Sequence, residues 1–307
     1  MNKNIIIAIL AVTVIGGGAY YLGSSKTDKI AADGHTDHTH DPIVATVGGT
    51  MAMNHEATSS MAMATGAKEA KTRVIVKNTS FKAGKQTISF ELYGNDGDAW
   101  SDKALKVAHE KKMHFIVVSN NFASYQHVHP LYKDKLWQVD LTLNPNTGYQ
   151  EYVDVESNEE GAEVLRFPIV VGTPTATSKV SQRETSLTKD GVLVTMKESG
   201  FTAGKETSVT FDVSQNGKAV IPENYLGAKG HVVALGDDPN TFIHGHPIDD
   251  SDAGVDFAFD FAKAGTYTLF GQFKVGGVVR TYPFTITVTE GTGTSSGAMD
   301  ESKPHSH

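Results

Sequence analysis

The 307-residue chain has no cysteine, only two tryptophans and no block of basic residues. Without thiols it cannot form disulfides, thiolate zinc sites, iron–sulfur clusters or the Cys-ligated blue-copper centre. A lipidated N-terminal cysteine is excluded on the same ground. Its 27 Lys and Arg against 35 Asp and Glu give a formal charge of −8. With no basic patch to meet phosphates, nucleic acid is not an expected partner. A glycine-rich phosphate loop, a nucleotide motif and a Ser-His-Asp order are also missing. Histidine is plentiful instead, with 13 copies, and their placement carries the functional reading.

Residues 5–23 contain no charged side chain, close to the roughly 20 residues that an α-helix needs to cross about 30 Å of hydrocarbon. The run ends Ala19-Tyr20-Tyr21-Leu22-Gly23, with an aromatic pair suited to a membrane interface and no small-residue cleavage site. Residues 1–23 are therefore expected to form an uncleaved N-terminal transmembrane helix. That makes the protein a single-pass cell-membrane protein with its bulk exported, periplasmic or extracellular.

Residues 24–70 lack apolar periodicity and read as a disordered segment. They hold His35, His38, His40, Met51, Met53, His55, Met61 and Met63. Imidazole and thioether groups on a flexible tether suit copper, histidine in either oxidation state and methionine for Cu(I). These eight residues are accessory metal-ligand candidates. The C-terminal tail, 290–307, is small and polar and ends His305-Ser306-His307.

An internal repeat organises the middle of the chain. Phe81-Lys82-Ala83-Gly84-Lys85 recurs as Phe201-Thr202-Ala203-Gly204-Lys205, each followed by a stretch of alternating polarity. Gly276-Gly277 between two β-rich runs reads as a two-residue hairpin turn. Each copy offers about seven short strands with little helical pattern, so the expected fold is all-β. It comprises two tandem antiparallel β-sandwich domains, immunoglobulin-like or cupredoxin-like, over residues 72–172 and 183–289 with 173–182 as linker. A helical turn is the most that Asp102–Lys111 allows.

Met113–Pro130 aligns without gaps to Gly230–Pro247, and four positions are identical: His114/His231, His127/His244, His129/His246 and Pro130/Pro247. Every hydrophobic position between them has changed identity. Apolar core residues interchange at modest cost, whereas a position kept as histidine needs a role that leucine or valine cannot fill. Two residues apart on a strand, His-x-His directs both rings to one side. If the preceding run forms a hairpin with it, His114 or His231 returns beside the pair. Each domain is then expected to present three neutral nitrogens to one ion, Cu(II) or Cu(I), with zinc as the alternative. The competing reading is that His-x-His-Pro merely caps backbone at a corner. His109, opposite Leu226 in the alignment, reads as a surface residue. Met113, replaced by Gly230, is at most an accessory ligand.

At these residues the chain resembles bacterial exported proteins whose tandem β-sandwich domains carry a G-H-x-V…F-x-H-x-H-P signature. The resemblance covers both repeats and is sharpest at Gly230-His231-Val232-Val233 and Phe242-Ile243-His244-Gly245-His246-Pro247. It implies export and association with copper or other heavy metals. The leading expectation is a non-enzymatic, membrane-tethered metal-binding protein that captures, holds or delivers copper. Its partners would be metal ions, the membrane, and a metal transporter or chaperone as recipient. Two alternatives stand beside it. One is a His₃ metal-dependent hydrolase using Asp140 or Asp256 as acid–base partner. The other is a structural or adhesive tandem sandwich with incidental histidines.

Overall fold

The computed structural model describes residues 43–46, 72–78, 80–249 and 254–291. The expected membrane helix and all eight accessory ligands lie outside the described residues. Among the described residues no helix is long and apolar enough to cross a membrane.

The first repeat contributes nine strands: β1 (Ile43–Thr46), β2 (Arg73–Val76), β3 (Gly84–Tyr93), β4 (Met113–Ser119), β5 (Tyr125–Val128), β6 (Leu131–Lys133), β7 (Leu136–Leu143), β8 (Thr147–Ser157) and β9 (Gly161–Val171). The second contributes eleven: β10 (Ser186–Lys189), β11 (Val192–Glu198), β12 (Phe201–Thr202), β13 (Glu206–Gln215), β14 (Lys218–Ala219), β15 (His231–Gly236), β16 (Phe242–His244), β17 (His246–Asp249), β18 (Val255–Asp260), β19 (Gly265–Val275) and β20 (Val278–Thr289). Strand β1 lies within the segment expected to be disordered. Its apolar, β-branched residues pair antiparallel with β2, Ile43 opposite Val76. Within Asp102–Lys111 only Asp102–Ala104 coils, as a single 3-10 turn.

Each repeat is a two-sheet sandwich, as expected. In the first, β1-β2-β3-β7-β6 faces β5-β4-β8-β9; in the second, β10-β11-β13-β18-β17 faces β12-β20-β19-β15-β16, with β14 on β13. The nine strands of the first repeat each have a counterpart in the same order in the second, which adds β12 and β14, so the duplication extends to topology. Each sandwich fills its own core, around Phe90, Phe115, Trp137 and Phe167 in one and Phe211, Phe257, Phe273 and Phe284 in the other. Gly276 and Gly277 form the expected β19–β20 turn with φ of 62° and 75°, the left-handed pair that a two-residue hairpin requires.

Strands β4 and β15 are buried along their whole length, although a sandwich strand ordinarily alternates. Phe115 and Val117 point into the first core, while Ile116 and Val118 join a third cluster with Tyr152, Val233, Leu235 and Phe270. That cluster is the contact between the sandwiches. Equivalent aromatic pairs brace it: Tyr125 stacks on Phe270 at 4.3 Å, and Tyr152 on Phe242 at 5.1 Å. Such pairs contribute about 0.5–1.5 kcal/mol each beyond their buried area.

Glu151, opposite Val117 on β8, points into the first core with zero exposure, and neither carboxylate oxygen has a partner among the described residues. Burial pushes its carboxyl well above the usual range. The equivalent position in the second repeat is Leu269. Since the unfolded chain ionises Glu151 above about pH 4.3 while the fold keeps it neutral, its cost grows as pH rises. Glu151→Leu should stabilise the protein by about 1–3 kcal/mol at pH 7, with a smaller gain at pH 4.5. Thermal melts at the two pH values check this.

Candidate metal centre

The histidine runs begin where a tight turn hands the chain to β4 and β15. Ala108 and Lys111 pair across a two-residue turn, His109-Glu110; Tyr225 and Ala228 pair likewise across Leu226-Gly227. His109 and Leu226 hold φ of 48° and 54°, a left-handed conformation uncommon for non-glycine residues. The turn carbonyls then receive the strand histidines: His114 Nε2 donates to Ala108 O at 3.1 Å and His231 Nε2 to Tyr225 O at 2.8 Å.

The hairpin register agrees with the sequence reading. Phe115 pairs with Val128 and Ile116 with His127, so His114 and His127 share the face that meets the other repeat. In the second repeat Val233 pairs with His244, placing His231 and His244 on the matching face. The His-x-His pairs, however, do not lie along one strand. His127 is in β5 and His129 follows its end; His244 closes β16 while His246 opens β17 in the opposite sheet. The reason is local: the chain changes sheets at this corner, and a Cβ on Gly245 would meet Phe259 Cζ at 2.6 Å. The side chain of His246 lies outside what the structure describes.

The expected triad of the first repeat is present, and His231 and His244 of the second repeat lie close to it. The imidazoles gather on both sides of the contact between the sandwiches. His114, His127 and His129 form the tight group, each offering a ligand atom within 4.8 Å of the others. Around His114 stand the rings of His127 at 5.2 Å, His129 at 5.1 Å, His244 at 5.3 Å, His109 at 5.9 Å and His231 at 6.4 Å. The reading of His109 as a surface residue is corrected: its half-buried ring lies 5.1 Å from that of His244 and 5.7 Å from that of His231. Its turn folds back over the strand that it precedes, which aligned position alone does not reveal. Met113 is 1% exposed and belongs to the first core.

Sequence reasoning also missed two residues that cross between repeats. His127 Nδ1 donates to Gln272 Oε1 at 2.7 Å, and His244 Nδ1 donates to Asp154 Oδ2 at 2.9 Å. Gln272 is opposite His231 on β19 and Asp154 is opposite His114 on β8, so the two contacts are equivalents exchanged between the repeats. Only strand register could have found them, because Tyr152-Val153-Asp154-Val155 reads as ordinary alternation. Asp140 and Asp256 lie instead in the sheets away from the contact, Asp140 accepting from Thr87 at 2.6 Å.

These acceptors fix the tautomers. A carbonyl or carboxylate oxygen only accepts, so each bonded ring nitrogen carries the proton and the other nitrogen keeps its lone pair. Gln272 is oriented by its own Nε2, which donates to Thr281 Oγ1 at 3.3 Å. The lone pairs are then on His114 Nδ1, His127 Nε2, His231 Nδ1 and His244 Nε2. His114 Nδ1 and His127 Nε2 face each other at 2.9 Å. Two lone pairs at that distance repel unless a cation lies between them. His129 Nε2 and His244 Nε2 are buried without a partner among the described residues. A tetrahedral ion with bonds of about 2.0–2.1 Å sets its nitrogens about 3.3 Å apart, so the tight triad needs only small ring movements to close. A groove of about 1170 Å³, with Val107, Met113 and Leu131 among its walls, reaches His127 and His129.

Burial holds the rings neutral. It brings His114 and His231 down to about 4 and His129 to about 3, and holds His127 well below the usual range. Folded-state values below the unfolded 6.5 mean that the unfolded chain takes up protons first as pH falls. In metal-free protein this contribution is complete above about pH 6.5 and is lost toward about pH 4. Chelator-treated protein should therefore melt progressively lower between those values, and His231→Leu should flatten the slope in thermal melts.

Residues 186–290 match a family described as Domain of unknown function (DUF8832). No curated protein matches the chain. Among solved structures, the chain is similar to the Escherichia coli adhesin FdeC at 15% identity, over 73% of this chain and 65% of that one, with a TM-score of 0.24. It thus spans about two thirds of the adhesin structure. It is similar to a two-domain fibronectin type III segment of chicken tenascin at 12% identity, over 70% of this chain and 97% of that one, with a TM-score of 0.21. Scores this low carry no functional inference.

Proposed function

We propose that the protein binds a transition-metal ion through the histidines gathered between its two sandwiches, and that copper is the ion. Zinc, which takes the same neutral nitrogens, is the alternative. The observation that carries this reading is the 2.9 Å approach of His114 Nδ1 to His127 Nε2, on rings whose other nitrogens face the acceptors Ala108 O and Gln272 Oε1. Beside them His129 supplies a third, buried nitrogen. Three imidazoles suit Cu(II), three-coordinate Cu(I) and Zn(II). The softer His/Met-rich segment upstream favours copper. With residues 1–23 as anchor, the site would stand outside the cytoplasm, where a tethered binder captures copper and holds it or passes it to a transporter or chaperone. The likeness of residues 113–130 and 230–247 to exported metal-handling domains points the same way.

As a binder the site needs no general acid or base. A His₃ hydrolase would, and Asp140 and Asp256 lie in the other sheets. An adhesive or purely structural sandwich predicts no response to metal. If the metal binds only the folded state, free Cu(II) at 100 times its Kd should add about 2.7 kcal/mol of stability. Native mass spectrometry of the loaded full chain should show less copper in the double variant His127→Ala, His129→Ala than in wild type. Equal copper content, or an unmoved melting temperature, would overturn the assignment of the domain site.

A further inference from the structure

We infer that the cluster is built for two ions, the second held by His109 of the first repeat together with His231 and His244 of the second. This rests on the metal-binding reading above and extends it from one ion to a pair. Three imidazoles on one tetrahedral ion place their ring centres about 5.2 Å apart, given a bond of about 2.05 Å. The triad His114, His127 and His129 has centre-to-centre distances of 5.2, 5.1 and 5.0 Å. The trio His109, His231 and His244 has distances of 5.7, 5.1 and 6.2 Å. The second group is looser, its ring centres up to about 1 Å farther apart, and among the described residues only the first triad already brings its ligand atoms within 4.8 Å of one another, so the second ion would have to draw its three rings together.

Its chemistry is prepared in the same way. Asp154 holds the His244 Nδ1 proton at 2.9 Å, leaving Nε2 buried with no partner among the described residues. Carboxylate-oriented imidazoles of this kind are common behind metal ions. Tyr225 O holds the His231 Nε2 proton at 2.8 Å, leaving Nδ1 as the donor to an ion. His109 is brought in by a left-handed turn that the second repeat also makes, with Leu226 in its place. The repeat therefore does not require histidine for this backbone, and its presence in one copy alone adds a third ring to a pair that would otherwise be incomplete. Because the ring of His114 lies 5.3 Å from that of His244 and 5.9 Å from that of His109, the two ions would be near neighbours.

The test uses the full chain loaded with Cu(II), so that copper on the upstream segment is common to all samples. Electron paramagnetic resonance of wild type should give a half-field signal, or a spin count below the copper content, from magnetically coupled ions. His109→Leu, which installs the residue that the other repeat carries at the same backbone angle, should lose one copper and the coupling while keeping its metal-free melting temperature. Fully loaded wild type showing only isolated Cu(II) would overturn the two-ion proposal, as would coupling that persists in His109→Leu. Unchanged copper content after His127→Ala with His129→Ala would remove the underlying metal-binding reading, and this one with it.

Discussion

The constraint on which the rest depends is that β4 and β15 are buried on both faces. One face of each strand completes its own sandwich, and the other meets the partner repeat. A polar ring on that second face cannot rely on bulk water, so each of its nitrogens must find a protein partner or a ligand. Four ring protons are accounted for by Ala108, Tyr225, Gln272 and Asp154. Of the opposite nitrogens, His114 Nδ1 and His127 Nε2 face each other at 2.9 Å, and His244 Nε2 is buried without a partner among the described residues. The metal affinity proposed for this site would follow from where the hydrogen bonds end.

The duplication explains both the order and the exceptions. Equivalent strands meet face to face about an approximate two-fold, so each special contact appears twice: Tyr125 on Phe270 and Tyr152 on Phe242, His127 to Gln272 and His244 to Asp154. Symmetry then breaks at residues with chemical consequence. Asp154 carries a formal charge where Gln272 is neutral, and only the first repeat has a histidine in the turn. Glu151 is buried where its equivalent, Leu269, is apolar. A duplicated pair of domains can differentiate its two half-sites without disturbing the packing that brings them together.

Much of this was legible in the sequence. The alternating stretches, the diglycine turn and the gapless comparison sufficed for two all-β repeats, their hairpins and the shared histidines. The hairpin parity that puts His114 with His127 and His231 with His244 is not determined by the sequence and comes from the strand register. What could not be read was the partner of the second face. Ile116, Val118, Val233 and Leu235 are as apolar as any core residue, and nothing local says that they pack against another domain. For that reason the closeness of His231 and His244 to the first triad was not foreseen, His109 read as exposed, and Asp154 and Gln272 went unnoticed. The sheet change at Gly245 was invisible too, since His-x-His on a strand and His-x-His around a corner are spelled alike.

Shared ligands between domains also change what binding means energetically. An ion held by His114, His127 and His129 alone would stabilise the first sandwich and leave the contact between the two untouched. An ion held by His109 of the first repeat with His231 and His244 of the second, as proposed, would favour the docked arrangement over any separated one, and by linkage docking would favour the ion. The stacked belt of Tyr125, Phe270, Tyr152 and Phe242 holds the sandwiches together without metal, so the rings are gathered beforehand and little is lost in ordering them. Entry is uneven: the groove reaches His127 and His129, two members of the tight triad. The open approach to the triad is therefore on the side of the first repeat, while the second repeat supplies, in Gln272, an acceptor for His127 and, in Phe270, a surface on which Tyr125 stacks.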